Sequence, residues 1–200
     1  MAIRFQYNKT SLQDMNKQLS IREKALPTLK NKESALRYEV NKAKEQTNYF
    51  NRLLEEEISR HNSVVSLWCE FSVKSLKVHD VKYSLRGIAG INIPVFEEVI
   101  FTTKEISLIN SPGWLLDGIS ILKMITNLML QRDFMSWTME LLNRSRKKTT
   151  QKVNLYEKVQ IPGYEEAIKK IKRFLEDEEN LSKAAQKIVK KRQLSYGESE

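Results

Sequence analysis

Residues 1–86 contain no glycine and a single proline, Pro27. Four of the six glycines (Gly87, Gly90, Gly113 and Gly118) fall between residues 87 and 118, together with Pro94 and Pro112. Beyond them the only breakers before the final residues are the adjacent Pro162 and Gly163. Glycine frees the backbone, and proline removes a donor and clashes with the preceding turn, so their distribution punctuates regular structure. The chain therefore reads as two very long helices, 1–75 and 119–195, joined by a short β-prone middle at 76–118, with a flexible tail at 196–200. The fold class expected is mainly α: a long antiparallel two-helix coiled coil with a small β-hairpin-like middle segment at one end. An ordinary helix runs about 11 residues, so helices of roughly 60 suit a lever, a spacer or a shaft.

Composition narrows the partners. No run approaches 18 apolar residues, which excludes a membrane-spanning helix. The opening MAIRFQYNKT has no apolar core of a secretory leader. Cys69 is the lone cysteine. It allows no internal disulfide and reads as a small, partly buried residue in a reducing compartment. The net charge of +9 sits on the arms, because 76–118 holds four basic and five acidic residues. Basic arms fit nucleic acid, an anionic membrane or an acidic protein lining. The close alternation of Lys and Arg with Glu and Asp favours solvated helix faces instead.

A heptad seam is the test for a coiled coil. With Leu12 at position a, the following a positions include Leu19, Leu26, Val40, Leu54 and Trp68. The d positions include Met15, Leu29, Leu36, Ala43, Phe50, Val64 and Phe71. Thirteen of eighteen seam positions over nine heptads are apolar without a stutter, which predicts one helix from Ser11 to about Val73. Thr10 or Ser11 can cap it, with Asp14 completing a capping box. The second arm carries a looser stripe: Ile125, Leu128, Met135, Met139, Leu142, Val153 and Tyr156. Past Pro162 the stripe resumes in a shifted phase, through Ile168 and Ile171. A hairpin turning near residue 95 would place Pro27 level with Pro162 and Gly163, and a shared bend is expected there. It would also set Glu57 opposite Arg132 as an ion pair in the seam.

In the middle, Val81, Tyr83 and Leu85 alternate with polar residues. A turn at Gly87–Gly90 follows, then Ile91, Ile93 and Val95, then a third β-prone run at Val99–Phe101. That pattern predicts a hairpin or meander. Pro94 restricts its strand to an edge or a bulge. The expected packing surface is Trp68, Phe71, Trp114 and Leu115, and Asp117-Gly118 is expected to delay the second arm.

No catalytic constellation is present: there is no phosphate loop, no nucleophile elbow and no Cys/His set at metal spacing. His61 and His79 stand alone on different elements. The acidic clusters Glu55–Glu57 and Glu176–Glu179, and the basic run Arg144–Lys148, read as solvated or partner-facing helix surface. No catalytic residue, cofactor or metal is expected.

One block carries a resemblance. In Val153–Glu179, the residues Val153, Asn154, Glu157, Ile161, Pro162, Glu165, Ile168, Ile171 and Leu175 resemble the C-terminal signature of the D subunits of V/A-type rotary ATPases. Gly87–Glu97 is similar to that family's glycine-then-proline segment. Leu26–Leu36 is similar to its L-L-K-x-K stretch, where Pro27 departs from the pattern. The resemblance implies a non-catalytic central-stalk rotor shaft that transmits torque between ATP turnover in a head and proton or sodium transport in a membrane sector. It implies one copy per complex. The partners would be the catalytic and non-catalytic head subunits (A and B), the F subunit of the rotor and the membrane-rotor docking subunit of C/d type. No nucleic acid is implied and no direct membrane insertion. The place implied is cytoplasmic and peripheral to the membrane. Both arm ends would face the head, and Gly87, Ile91, Pro94 and Phe96 would meet the lower rotor subunits. The rival from charge alone is a basic coiled-coil module binding an anionic membrane surface or nucleic acid.

Overall fold

The computed structural model describes residues 3–62, 71, 76–103 and 112–197. Val64, Trp68 and Cys69, each assigned a role from the sequence, lie outside the described residues. The elements run as helix α1 (Lys9–Arg60), strands β1 (Leu76–Ile88) and β2 (Ile91–Thr103), helix α2 (Leu115–Leu155), a π-helical turn (Tyr156–Gln160) and helix α3 (Ile161–Gly197). The chain is mainly helical, with one small antiparallel hairpin in its middle.

Helix α1 starts earlier than expected because Asn8, not Thr10 or Ser11, caps it. The Asn8 Oδ1 accepts the Ser11 amide at 2.6 Å, and the Asn8 carbonyl accepts the Leu12 amide at 3.1 Å. Ser11 Oγ in turn accepts the Gln6 amide at 3.3 Å, so two amides near the helix start are satisfied reciprocally. The helix is 52 residues long, about 78 Å at ~1.5 Å per residue. It runs through Pro27 without a change of secondary structure. It ends at Arg60, and Phe71 is not helical; the rest of the seam expected past Asn62 as far as Val73 lies outside the described residues. Every a and d position from Leu12 to Glu57 is buried or partly buried, the polar Arg22, Glu33, Thr47 and Glu57 included.

The hairpin is two strands of 13 residues each. Its turn is the pair Ala89-Gly90, narrower than the Gly87–Gly90 span expected, with φ of 50° and 77°. Both residues at positive φ make the tight turn whose twist matches the flanking strands. Val99–Phe101 continues β2 rather than forming a third strand, and pairs with β1 through Val81, Asp80 and Val78. The register slips between Val78 and Asp80 and between Lys82 and Tyr83. Such bulges bend a strand and re-aim its side chains. On the exit, α2 begins at Leu115 and runs through Gly118, whose amide bonds the Trp114 carbonyl at 2.8 Å. Asp117-Gly118 therefore does not delay the helix.

Two compact units divide the contacts: residues 1–31 with 149–200, and residues 32–148.

Candidate functional site

In the unit of residues 32–148, the core is Leu36, Ala43, Ile93 and Leu142, with Val40, Ile88, Ile91 and Met139 packed against it. Leu36 and Leu142 are fully buried. The hairpin therefore lies alongside α1 and α2. Its tip reaches Lys32, whose Nζ sits 3.6 Å from where a Cβ on Gly90 would stand. Farther along, Phe134 on α2 packs against Tyr83 and Phe96 at 5.8 and 5.6 Å between ring centres. The Thr138 hydroxyl donates to the Pro94 carbonyl at 3.2 Å. Lys123 Nζ lies over the Phe101 ring at 5.9 Å. This contact surface, which runs along α2 from Lys123 to Leu142, explains the loose stripe of α2: Ile125, Leu128, Met135, Met139 and Leu142 share a helix covered on two sides, so apolar residues spread around it.

The residues expected to meet lower rotor partners are mostly turned inward. Pro94 is buried, Ile91 packs on the core, and Phe96 packs at a tilt against Phe134. Gly87 is exposed. The large apolar side chains that the hairpin does expose are Val78, Tyr83 and Leu85, at 46, 52 and 65%, beside a half-exposed Trp137 that touches Phe134. Sequence reasoning missed them because alternation in a hairpin shows that one face is buried, not which one. The bulge at Lys82/Tyr83 changes the face partway along.

In the unit of residues 1–31 and 149–200, Ala167, Ile168 and Ile171 form the buried stripe of α3, and Thr149 is buried ahead of it. Leu19 and Ile168 line one groove between α1 and α3. Tyr7 packs on Phe174 with ring centres 4.8 Å apart. Lys30 pairs with Glu157 at 2.7 Å, and Arg22 with Gln160 at 2.6 Å. Pro27 lies between these contacts, level with the π turn rather than with Pro162 and Gly163, several residues off the expected register. Gly163 is helical, and its role is close approach: a Cβ there would stand 3.0 Å from Ile3 Cδ1. From Glu176 to Arg192 every side chain is exposed, Leu181, Ile188 and Val189 among them.

The expected pair of Glu57 with Arg132 does not form. Glu57 bonds Arg60 at 2.5 Å, and Arg132 bonds Asp133 at 2.6 Å. A partner on the same helix needs less ordering than one across a seam, so each charge is met locally. Two surface pairs on α3 shift the titration of their members. Lys170 holds the Glu166 carboxyl below its ordinary range through a direct hydrogen bond, and Lys183 does the same to Glu179. Among the described residues, no group of three His, Cys, Asp or Glu could hold a metal, and no helix is long and apolar enough to cross a membrane. The cleft between α1, the hairpin and α2, lined by Ala43, Ile93 and Leu142, holds about 170 Å³. What the chain offers chemically is extended helix surface with an apolar seam.

Residues 11–191 match the family model for the D subunit of ATP synthase. The chain belongs to the ATP synthase D-subunit family. Among curated relatives, the D subunit of the V-type ATP synthase of Borreliella burgdorferi is 31% identical over 91% of both chains. That of Chlamydia muridarum is 25% identical over 96% of this chain and 97% of its own. That of Chlamydia abortus is 26% identical over 87% of this chain and 86% of its own. Membership over this length implies a place in a complex with other ATP synthase subunits.

Proposed function

We propose that this chain is the central-stalk shaft of a V/A-type rotary ATPase or ATP synthase. It is a non-catalytic rotor part that transmits torque between ATP turnover in the head and proton or sodium transport in the membrane sector. The observation that carries this reading is the D-subunit match across residues 11–191. The unbroken run of buried or partly buried seam positions from Leu12 to Glu57 supports it, because a part that transmits twist needs helices packed along their length. On this reading the arm ends, about 1–30 and 160–195, face the A and B head subunits. The hairpin meets the F subunit of the rotor and the membrane-rotor docking subunit of C/d type. Its exposed Tyr83 and Leu85 supply contact, and Ile91, Pro94 and Phe96 hold the hairpin in place. The complex would lie in the cytoplasm, peripheral to the membrane, with one copy of the chain.

Co-expression with the F subunit and both head subunits of the same source, followed by native mass spectrometry, tests it. One copy of this chain with three of each head subunit is expected. A head that assembles without the chain, while the chain runs as a homodimer, would reject it in favour of a basic surface-binding module.

A further inference from the structure

The π turn and Arg22 belong together. In the unit of residues 1–31 and 149–200, the stripe of buried and partly buried residues advances from Thr149 through Val153 to Tyr156, one heptad of seven residues. From Tyr156 it passes Gln160, Tyr164 and Ile168 to Ile171, fifteen residues on and one more than two heptads. An extra residue left in an α-helix would turn everything after it by about 100°, since ~3.6 residues complete a turn. The π turn takes up that residue. The Ile161 amide bonds the Tyr156 carbonyl, five residues back instead of four. Pro162 follows at once, and a wider turn moves away the carbonyl that its ring would strike in an α-helix. A π turn is nevertheless rare and loosely bonded, so something must hold it.

Arg22 stands across it on α1, at a seam position where an apolar residue is the rule. Its Nε donates to Gln160 Oε1 at 2.6 Å. One terminal nitrogen donates to both the Gln18 carbonyl and Gln18 Oε1, at 2.9 and 2.7 Å. The guanidinium lies 5.8 Å from the Tyr156 ring centre and 4.6 Å from that of Tyr164. It therefore touches the first residue of the turn, the last, and the next seam residue beyond it. The fork is fixed from behind by Gln18. Planarity, stacking and several donors in fixed directions are properties of arginine that lysine lacks.

We propose that Arg22 is the positioning residue that holds the inserted residue within Tyr156–Gln160 and so sets which face of α3 packs on α1. Without it, the insertion is free to migrate along the helix, and Ala167, Ile168 and Ile171 lose their fixed phase. The inference concerns the chain alone and stands apart from the shaft reading.

The test is amide hydrogen exchange, resolved by peptide, on the 200-residue chain. Arg22→Leu, which continues the apolar seam, is expected to speed exchange across 156–171 at least tenfold while the stretch around Leu142 keeps its rate. Arg22→Lys is expected to restore little of the protection. A second background removes the insertion by deleting Val159 and replacing Pro162 with Ala. There the heptad is continuous, and Arg22→Leu is expected to leave exchange unchanged. Should that background not fold, Gln160→Ala and Tyr164→Leu, which remove the partners singly, are each expected to reproduce part of the Arg22→Leu effect. Wild-type exchange in Arg22→Leu, equal acceleration in both backgrounds, or no effect from removing either partner would overturn the proposal.

Discussion

At the scale of single residues, stability concentrates in a few fully enclosed side chains. Leu36 is wholly buried between α1, the hairpin and α2. Leu36→Ala is expected to cost about 2–5 kcal/mol in denaturant unfolding, while Leu181→Ala, on an exposed face, should stay within about 0.5 kcal/mol. Comparable costs would contradict the burial. The hairpin turn offers a gain. Ala89 holds φ of 50°, where an alanine Cβ is strained and asparagine is tolerated. Ala89→Asn should raise the unfolding midpoint, and Gly90→Val, at φ of 77°, should lower it. On α3, the carboxyl of Glu166 is depressed by Lys170, and the Lys170 ammonium is raised by Glu166. The carboxyl's contribution is present above the ordinary carboxylate range and lost as pH falls through the folded value. The lysine's is present below the ordinary lysine range and lost as pH rises past it. Both groups are fully exposed, so salt should erase the effect. Acidification at low salt should perturb backbone NMR shifts around 166–170 more in the wild type than in Glu166→Gln; an identical response would discard the pair as a contributor.

At the scale of elements, legibility follows the number of neighbours. The seam of α1 stands out in the sequence because that helix packs along one stripe, and a period of about 3.5 survives in the residue order even across Arg22 and Glu33. The stripe of α2 blurs because Phe134, Thr138 and Lys123 serve the hairpin while Leu142 serves the core. The shifted phase past Pro162 is visible in the residue order, but its cause is not. A π turn is a backbone solution with no residue signature beyond the proline that follows it. The Glu57–Arg132 pairing fails for a related reason. It presumes a turn near residue 95, whereas the connector folds back along the helices instead of marking their midpoint. Lys30 beside Glu157 is a register mark that residue types alone could not single out among 34 basic side chains.

At the scale of the whole molecule, the shaft reading separates two kinds of hairpin residue. Replacing exposed Leu85 with Ser should leave the chain's own unfolding midpoint unchanged and, in the reconstituted complex, reduce ion transport while ATP hydrolysis persists. Phe96→Ala, which removes the contact with Phe134, should lower the midpoint as well. Equal loss of transport and hydrolysis from Leu85→Ser, with assembly intact, would refute the division. The exposed stretch of α3 from Glu176 to Arg192 carries a different consequence. Every side chain of 176–192 is exposed, and an isolated helix of that length is marginal in water. This stretch includes Lys183, Lys187, Lys190, Lys191 and Arg192, so trypsin should trim the solitary chain there first. Occlusion by a partner should abolish the cut. An orphan copy would thus carry its own degradation tag, erased only on assembly, and its lifetime in the cell would report whether it had found its place.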